Sequence, residues 1–207
     1  MLNDQIRIGI YGGTFSPPHM GHFRALSALI DAYHPDTTYV IPTFVPPHKT
    51  ASSAATPEER LAMCRLAFGD LPVTVSDMEI RRGGKSYTVL TLEELAAPDT
   101  RLLLLCGTDM FLTLDSWYMP ARIFELAEIV YVAREVGEDG KNASLAMAEK
   151  AEEYRARFGA TVHALPLDAL ELSSSDVRRL LLENKDTDTL LHPKVKEYIE
   201  KCNLYRK

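Results

Sequence analysis

The stretch that most restricts the fold joins an apolar run, Ile6-Arg7-Ile8-Gly9-Ile10-Tyr11, to Phe23-Arg24-Ala25-Leu26-Ser27-Ala28-Leu29-Ile30, where apolar residues recur at helical spacing. Between them lie Gly12-Gly13-Thr14-Phe15-Ser16-Pro17-Pro18-His19-Met20-Gly21-His22, so the chain leaves a strand through two glycines and enters a helix. Such a turn offers bare backbone N–H groups and the positive end of a helix dipole to an anion, usually phosphate. His19 and His22 stand three apart at the helix entrance, a spacing that projects both imidazoles to one face. That constellation suits nucleotidyl transfer at an α-phosphate, where the protein mainly positions reactants and neutralises charge spreading over the equatorial oxygens. An attacking phosphate monoester is largely dianionic near neutral pH, its second pKa being about 6, and needs no strong general base. The competing reading makes His19 a loop residue after Pro17-Pro18 and His22 a capping or core histidine.

Candidate strands recur along the chain at 6–11, 38–42, 73–76, 101–106, 128–133 and 161–164. Helical patterns fill most of the gaps, at 20–33, 57–68, 88–97, 121–126, 143–158, 174–183 and 193–202. Alternation of this kind, with near-continuous apolar strands such as Leu102 to Cys106 and Ile129 to Ala133, predicts an α/β fold with a doubly wound parallel sheet, covered on both faces. Ligands of such sheets bind beyond the carboxyl ends of the strands at a switch point. Residues 1–207 read as one domain with a helical C-terminal segment from about 171. The stretch from Thr50 to Pro57 reads as a mobile loop, with Thr56 and Pro57 at its end as helix cap and first helical residue, and Gly137 to Asn142 as a second polar loop.

Composition sets limits on partners. A net charge of −6 argues against a general electrostatic grip on nucleic acid, though local cations allow an anionic small molecule. The N-terminal sequence lacks the layout of a signal peptide and no apolar run reaches spanning length, so a cytoplasmic location and no membrane partner are expected. Cys64, Cys106 and Cys202 are far apart and without Cys-x-x-Cys spacing, which suggests neither a disulfide framework nor a zinc site. The anchors of P-loop, dinucleotide-dehydrogenase, hydrolase-elbow and zinc-protease readings are missing.

A second candidate phosphate site lies far along the chain. Ser173-Ser174-Ser175 is read ahead of a helix whose first turn carries Asp176, with Arg178 placed to add a bidentate contact. The alternative is an ordinary serine cap with a surface arginine. Taken with Val45-Pro46-Pro47-His48-Lys49, Ser86-Tyr87-Thr88, Gly107-Thr108-Asp109, Leu114-Asp115-Ser116-Trp117, Val132-Ala133-Arg134 and His192-Pro193 to Tyr205, these pieces resemble in order the His-x-Gly-His nucleotidyltransferase superfamily and, within it, the bacterial nicotinate-nucleotide adenylyltransferases.

The resemblance implies a Rossmann-like fold and the joining of the adenylyl group of ATP to nicotinate mononucleotide, with magnesium held chiefly by nucleotide phosphates and water. It implies that His19 and His22 bind the ATP phosphates and the transition state, with Arg178, Ser174 and Ser175, on a turn made of Gly12, Gly13, Thr14 and Phe15. Gly107, Asp109 and Arg134 would hold adenosine. Thr88, Trp117 and the backbone at Tyr118 would take the nicotinate ring and carboxylate, and Lys49, grouped with them, would be a cationic arm over the phosphates. No protein metal ligands are implied, and a homo-oligomer is compatible with the sequence. Ser16 departs from the pattern, since an acidic or amide residue usually follows Gly-Gly-Thr-Phe. Other readings keep the fold and change the acceptor to nicotinamide mononucleotide, phosphopantetheine or an alcohol phosphate with CTP, or make the chain a nucleotide sensor without catalysis.

Overall fold

A computed structural model describes residues 5–47, 55–133, 137–167 and 172–206. Along the chain run β1 (Ile6–Gly13), α1 (Met20–Tyr33), β2 (Thr37–Pro42), α2 (Pro57–Phe68), β3 (Thr74–Val75), α3 (Met78–Arg82), α4 (Thr88–Leu95), β4 (Thr100–Cys106), α5 (Thr108–Leu112), a 3-10 turn (Leu114–Ser116), α6 (Pro120–Leu126), β5 (Ala127–Ala133), α7 (Gly137–Phe158), β6 (Val162–Pro166), α8 (Ser174–Leu182) and α9 (Pro193–Lys201). The strands form one sheet in the order β3-β2-β1-β4-β5-β6. β1 lies parallel to β4, β4 to β5 and β5 to β6, with Ile10 opposite Leu104 and Leu104 opposite Ile129. The order turns back between β1 and β4, which is the doubly wound pattern expected.

The structure adds to the sequence reading in four places. β1 runs through Gly13, so the two glycines end the strand and the turn starts at Thr14. α3, α5 and the 3-10 turn were not anticipated, because three to five residues cannot establish a helical period. β3 has two residues where four were expected. α7 begins at Gly137, so the polar stretch from Gly137 to Asn142 is its first turns and not a loop; two glycines there cost about 1 kcal/mol each, an amount that continuity with a long helix can override.

Two compact units can be distinguished, and each is described by itself. The first comprises Met1–Tyr11, Ala25–Tyr39 and Tyr87–Ala169. Its centre is the apolar run Leu102 to Cys106 with Ile129, Val130, Leu26 and Leu29, all essentially buried. Cys106 closes β4 as a buried small side chain, its thiol pushed up to about 12 by burial. The second comprises Gly12–Arg24, Val40–Ser86 and Leu170–Lys207. There α2 packs on α9, bringing Met63, Cys64 and Phe68 of one and Val195 and Ile199 of the other out of solvent. α2 starts as expected: Thr56 is the N-cap, its hydroxyl accepts from the Glu59 N–H at 3.2 Å, the Glu59 carboxylate returns a bond to the Thr56 N–H at 2.7 Å, and Pro57 follows.

Candidate functional site

The turn after β1 is built by turning its carbonyls into the protein. The Gly13 carbonyl accepts from the Thr43 N–H at 2.9 Å, Thr14 from Arg60 at 2.9 Å, Ser16 from Arg178 at 2.7 Å and Pro17 from the Ser174 hydroxyl at 2.9 Å. With these carbonyls engaged by the protein, the turn does not present them to an approaching anion. Phe15 adopts a left-handed φ of 49° and folds its ring back over Gly13. A Cβ at Gly13 would come within 2.9 Å of that ring, so this position has room for glycine only. The Phe15 ring is 2% exposed and meets His22 and Phe68 edge-on. Its side chain is thus part of the core. In front of Gly12 a Cβ would meet nothing within 4 Å among the described residues.

His19 and His22 come together as their spacing predicts, with ring centroids 3.6 Å apart and planes tilted by 35°. The His19 N–H donates to Nδ1 of His22 at 3.1 Å, which leaves Nε2 as the protonated nitrogen of that ring in its neutral form. His19 is 7% exposed, and its Nδ1 is buried with no hydrogen-bond partner among the described residues. Burial lowers its pKa from 6.5 to about 4, against the opposing pull of Asp176. His19 is therefore neutral at physiological pH, with one ring nitrogen lacking the partner that a buried polar atom ordinarily has.

The distal motif closes on the same turn. α8 is capped by Ser173, whose hydroxyl accepts from the Asp176 N–H at 3.1 Å, while Ser174 and Ser175 lie within the first helical turn and not ahead of it. The Ser174 hydroxyl spends its one proton on the Pro17 carbonyl, so this residue has its backbone N–H left for an anion. Ser175 accepts from Arg178 at 3.0 Å and keeps its proton to donate. Arg178 thus ties Ser175 to the Ser16 carbonyl with two of a guanidinium's five donors.

Two residues of this unit were missed by sequence reasoning. Arg60 is 1% exposed, beneath the turn, and bonds Thr14 as well as the Phe44 carbonyl at 3.1 Å. The readable signal was an arginine on the buried stripe of α2, in line with Cys64, Ala67 and Phe68. Tyr205 is 4% exposed, and its hydroxyl meets that of Ser16 at 3.0 Å. The serine that departs from the usual pattern therefore has a partner, which sequence spacing could not reveal.

The other unit holds the remaining described candidates. Gly107 caps α5, and a Cβ there would meet nothing within 4 Å among the described residues. Asp109 is exposed in the first turn of α5, so it is not a cap. Trp117 is half-buried and not a core residue; its indole N–H reaches the Thr113 hydroxyl at 3.4 Å. The turn before it is held by Asp115, which accepts from Lys150 at 2.9 Å and Arg157 at 3.2 Å; this support too was not foreseen. Thr88 opens α4 directly after Tyr87, whose ring lies 4.6 Å from that of Tyr118. That contact brings Thr88 and Tyr118 to one place. Lys49 and Arg134, and most of the loop expected at 48–56, lie outside the described residues. Among the described residues no cluster of three His, Cys, Asp or Glu could hold a metal ion, and no helix is long and apolar enough to cross a membrane.

The cytidylyltransferase-like family profile matches residues 10–180. A protein of Desulfatibacillum aliphaticivorans named "Probable nicotinate-nucleotide adenylyltransferase" is 35% identical, the match covering 97% of this chain and 100% of the relative. One of the same name from Geotalea daltonii is 36% identical, over 97% and 98% of the two chains. In structure, the nicotinic acid mononucleotide adenylyltransferase of Plasmodium falciparum complexed with NaAD superposes with a TM-score of 0.73 at 20% identity, covering 96% of this chain and 97% of that one, so the fold is shared. With the histidine pair seated in this turn and kinship running nearly end to end, the chain belongs to the nicotinate-nucleotide adenylyltransferase family, within the cytidylyltransferase-like group.

Proposed function

We propose that this chain transfers the adenylyl group of ATP to nicotinate mononucleotide, giving deamido-NAD and pyrophosphate in NAD biosynthesis. The observation that carries the reading is the His19–His22 pair, 3.6 Å apart, on a turn whose carbonyls are engaged elsewhere. The acceptor phosphate oxygen bonds to the α-phosphorus as the bond from that phosphorus to the bridging oxygen breaks, and pyrophosphate carries away the electron pair. His22 through Nε2 and His19 through its ring stabilise charge on the phosphate oxygens, with Ser175 and the backbone N–H groups of α8 adding donors. Arg178 holds the turn and presents its remaining N–H groups to the donor phosphates. Gly107 and Asp109, with Arg134, receive adenosine, while Thr88, Trp117 and the Tyr118 backbone receive the nicotinate group and Lys49 covers the phosphates. Magnesium carried by ATP would be held chiefly by nucleotide phosphates and water and would help neutralise the phosphate charge. We further propose that the reaction runs in the cytoplasm, with small-molecule partners.

A pyrophosphate-release assay with ATP, offering nicotinate mononucleotide, nicotinamide mononucleotide and phosphopantetheine in parallel, tests this. A carboxylate accepts from two donors, whereas an amide turns an NH₂ toward one of them; a donor so frustrated costs roughly 1 to 3 kcal/mol. Nicotinate mononucleotide is expected to lead by about tenfold to a hundredfold in kcat/KM. Equal values for the two pyridine mononucleotides would remove the acceptor assignment and leave an adenylyltransferase.

A further inference from the structure

Arg60 is an unusual residue to find at 1% exposure. No carboxylate among the described residues hydrogen-bonds it; its terminal nitrogens donate to the Thr14 carbonyl at 2.9 Å, the Phe44 carbonyl at 3.1 Å and, at 3.5 Å, the Thr43 hydroxyl. Its Nε is buried without a hydrogen bond. Burying a cation against neutral carbonyls is costly, and an apolar side chain on the same helical stripe would pack there without that cost. Packing alone therefore does not account for an arginine at this place.

Geometry supplies a reason. A trans peptide is planar, with its C=O and N–H pointing in opposite directions. By drawing the Thr14 carbonyl inward, Arg60 turns the Phe15 N–H of the same peptide away from itself. Phe15 sits at a φ of 49°, a conformation that non-glycine residues hold only when their surroundings impose it. The second prong of the fork fixes Phe44, whose own N–H is held by the Ser86 hydroxyl at 2.8 Å. One rigid guanidinium thus sets the spacing between the phosphate turn and the stretch that leads toward Lys49.

We propose that Arg60 is a positioning residue for the nucleotide phosphates, acting through the Thr14–Phe15 peptide and through its buried charge without touching substrate. The inference rests on the reading of residues 12–22 as the ATP phosphate site. It is tested with Arg60→Lys, which keeps the charge and loses the fork, and Arg60→Met, which loses both. Calorimetric binding of MgATP and steady-state kinetics with each substrate varied are measured beside thermal unfolding. Losing bonds of this charge-assisted kind is expected to raise the Kd and KM for ATP by about tenfold in Arg60→Lys, and by more in Arg60→Met, with the KM for nicotinate mononucleotide within about twofold of wild type. A residue that only supports the fold would lower Tm and leave the ratio of the two KM values unchanged; that result, or wild-type MgATP affinity in folded Arg60→Lys, overturns the proposal. If Arg60→Met does not fold, Arg60→Lys carries the test alone. Wild-type protein that fails to bind MgATP at all would overturn the nucleotide reading and this inference with it, whereas normal wild-type binding with unaffected variants overturns this inference only.

Discussion

The turn from Thr14 to His22 and the stretch from Gly107 to Met119 belong to one proposed reaction and are built in opposite ways. In the first, Phe15, Ser16 and His19 are 2%, 3% and 7% exposed, and four successive or near-successive carbonyls are engaged by the protein. In the second, Asp109 is exposed, Tyr118 is 52% exposed, and Trp117 shows part of its indole to solvent. Stabilising charge that develops in a transition state demands donors fixed beforehand in a dry setting. Recognising a flat ring demands apolar area that is still open to be covered when the ring arrives. The contrast is between a site finished before substrate comes and one finished by substrate.

The comparison breaks most decisively at the histidines. His19→Ala and His22→Ala are each expected to lower kcat by about 10² to 10³, equivalent to roughly 2.7 to 4 kcal/mol, while circular dichroism and thermal melts show folded protein. Near-normal turnover in both folded variants would show that the pair does not act on the reaction.

A smaller effect comes from pH. Burial holds His19 at about 4 in the folded chain, against 6.5 when unfolded. Between those values the unfolded state binds the extra proton, so the stability contributed is complete above about pH 6.5 and is lost as pH falls toward 4. From pH 7 to pH 5 the loss attributable to His19 is about 2 kcal/mol. Urea unfolding of wild type and His19→Asn at both pH values checks this; parallel pH dependence in the two proteins would mean the imidazole is not held neutral by burial.

The open region sharpens the contrast through KM. Trp117→Ala is expected to raise the KM for nicotinate mononucleotide about tenfold, the usual value of an aromatic platform, with the KM for ATP little changed. A defect shared equally between the substrates would place Trp117 elsewhere in the reaction.

The smallest effect falls on the turn's rear support. Tyr205→Phe removes one buried hydrogen bond to Ser16, worth about 1 kcal/mol, and should lower Tm by about 2 to 4 °C. Ser16→Ala should do the same, and the double variant should cost less than the sum of the two. Strict additivity would show that the hydroxyls do not interact.

Much of this was legible from the sequence, for identifiable reasons. α1, α2, α8 and α9 were located to within a residue at each end, since apolar spacing, Pro57 and Pro193 at first helical positions, and the capping groups Thr56 and Ser173 are all local signals. The sheet followed from the apolar strands β4 and β5, which only a doubly covered position explains. The histidine pair was legible because three-residue spacing maps directly onto a helix face. The supports were not. Tyr205 and the Ser174–Pro17 bond join residues over a hundred positions apart and Arg60 reaches residues 16 to 46 positions away, and no local period encodes such partners. Ser174 shows the same limit within a motif: its place at a helix start was readable, but the spending of its proton on a carbonyl was not.

The bond between Ser16 and Tyr205 spans 189 positions, and that distance has a meaning in time. Chains are made from the N-terminus at about 5 to 20 residues per second, so residue 205 follows residue 16 after roughly 10 to 40 seconds. For most of that interval the turn around the histidines lacks Ser174 and Arg178, and for all of it Tyr205. A chain cut short before α8 carries the whole histidine signature and none of that clamp. The part of the chain that carries the histidines and the part that braces their turn are thus separated by most of the synthesis of the protein.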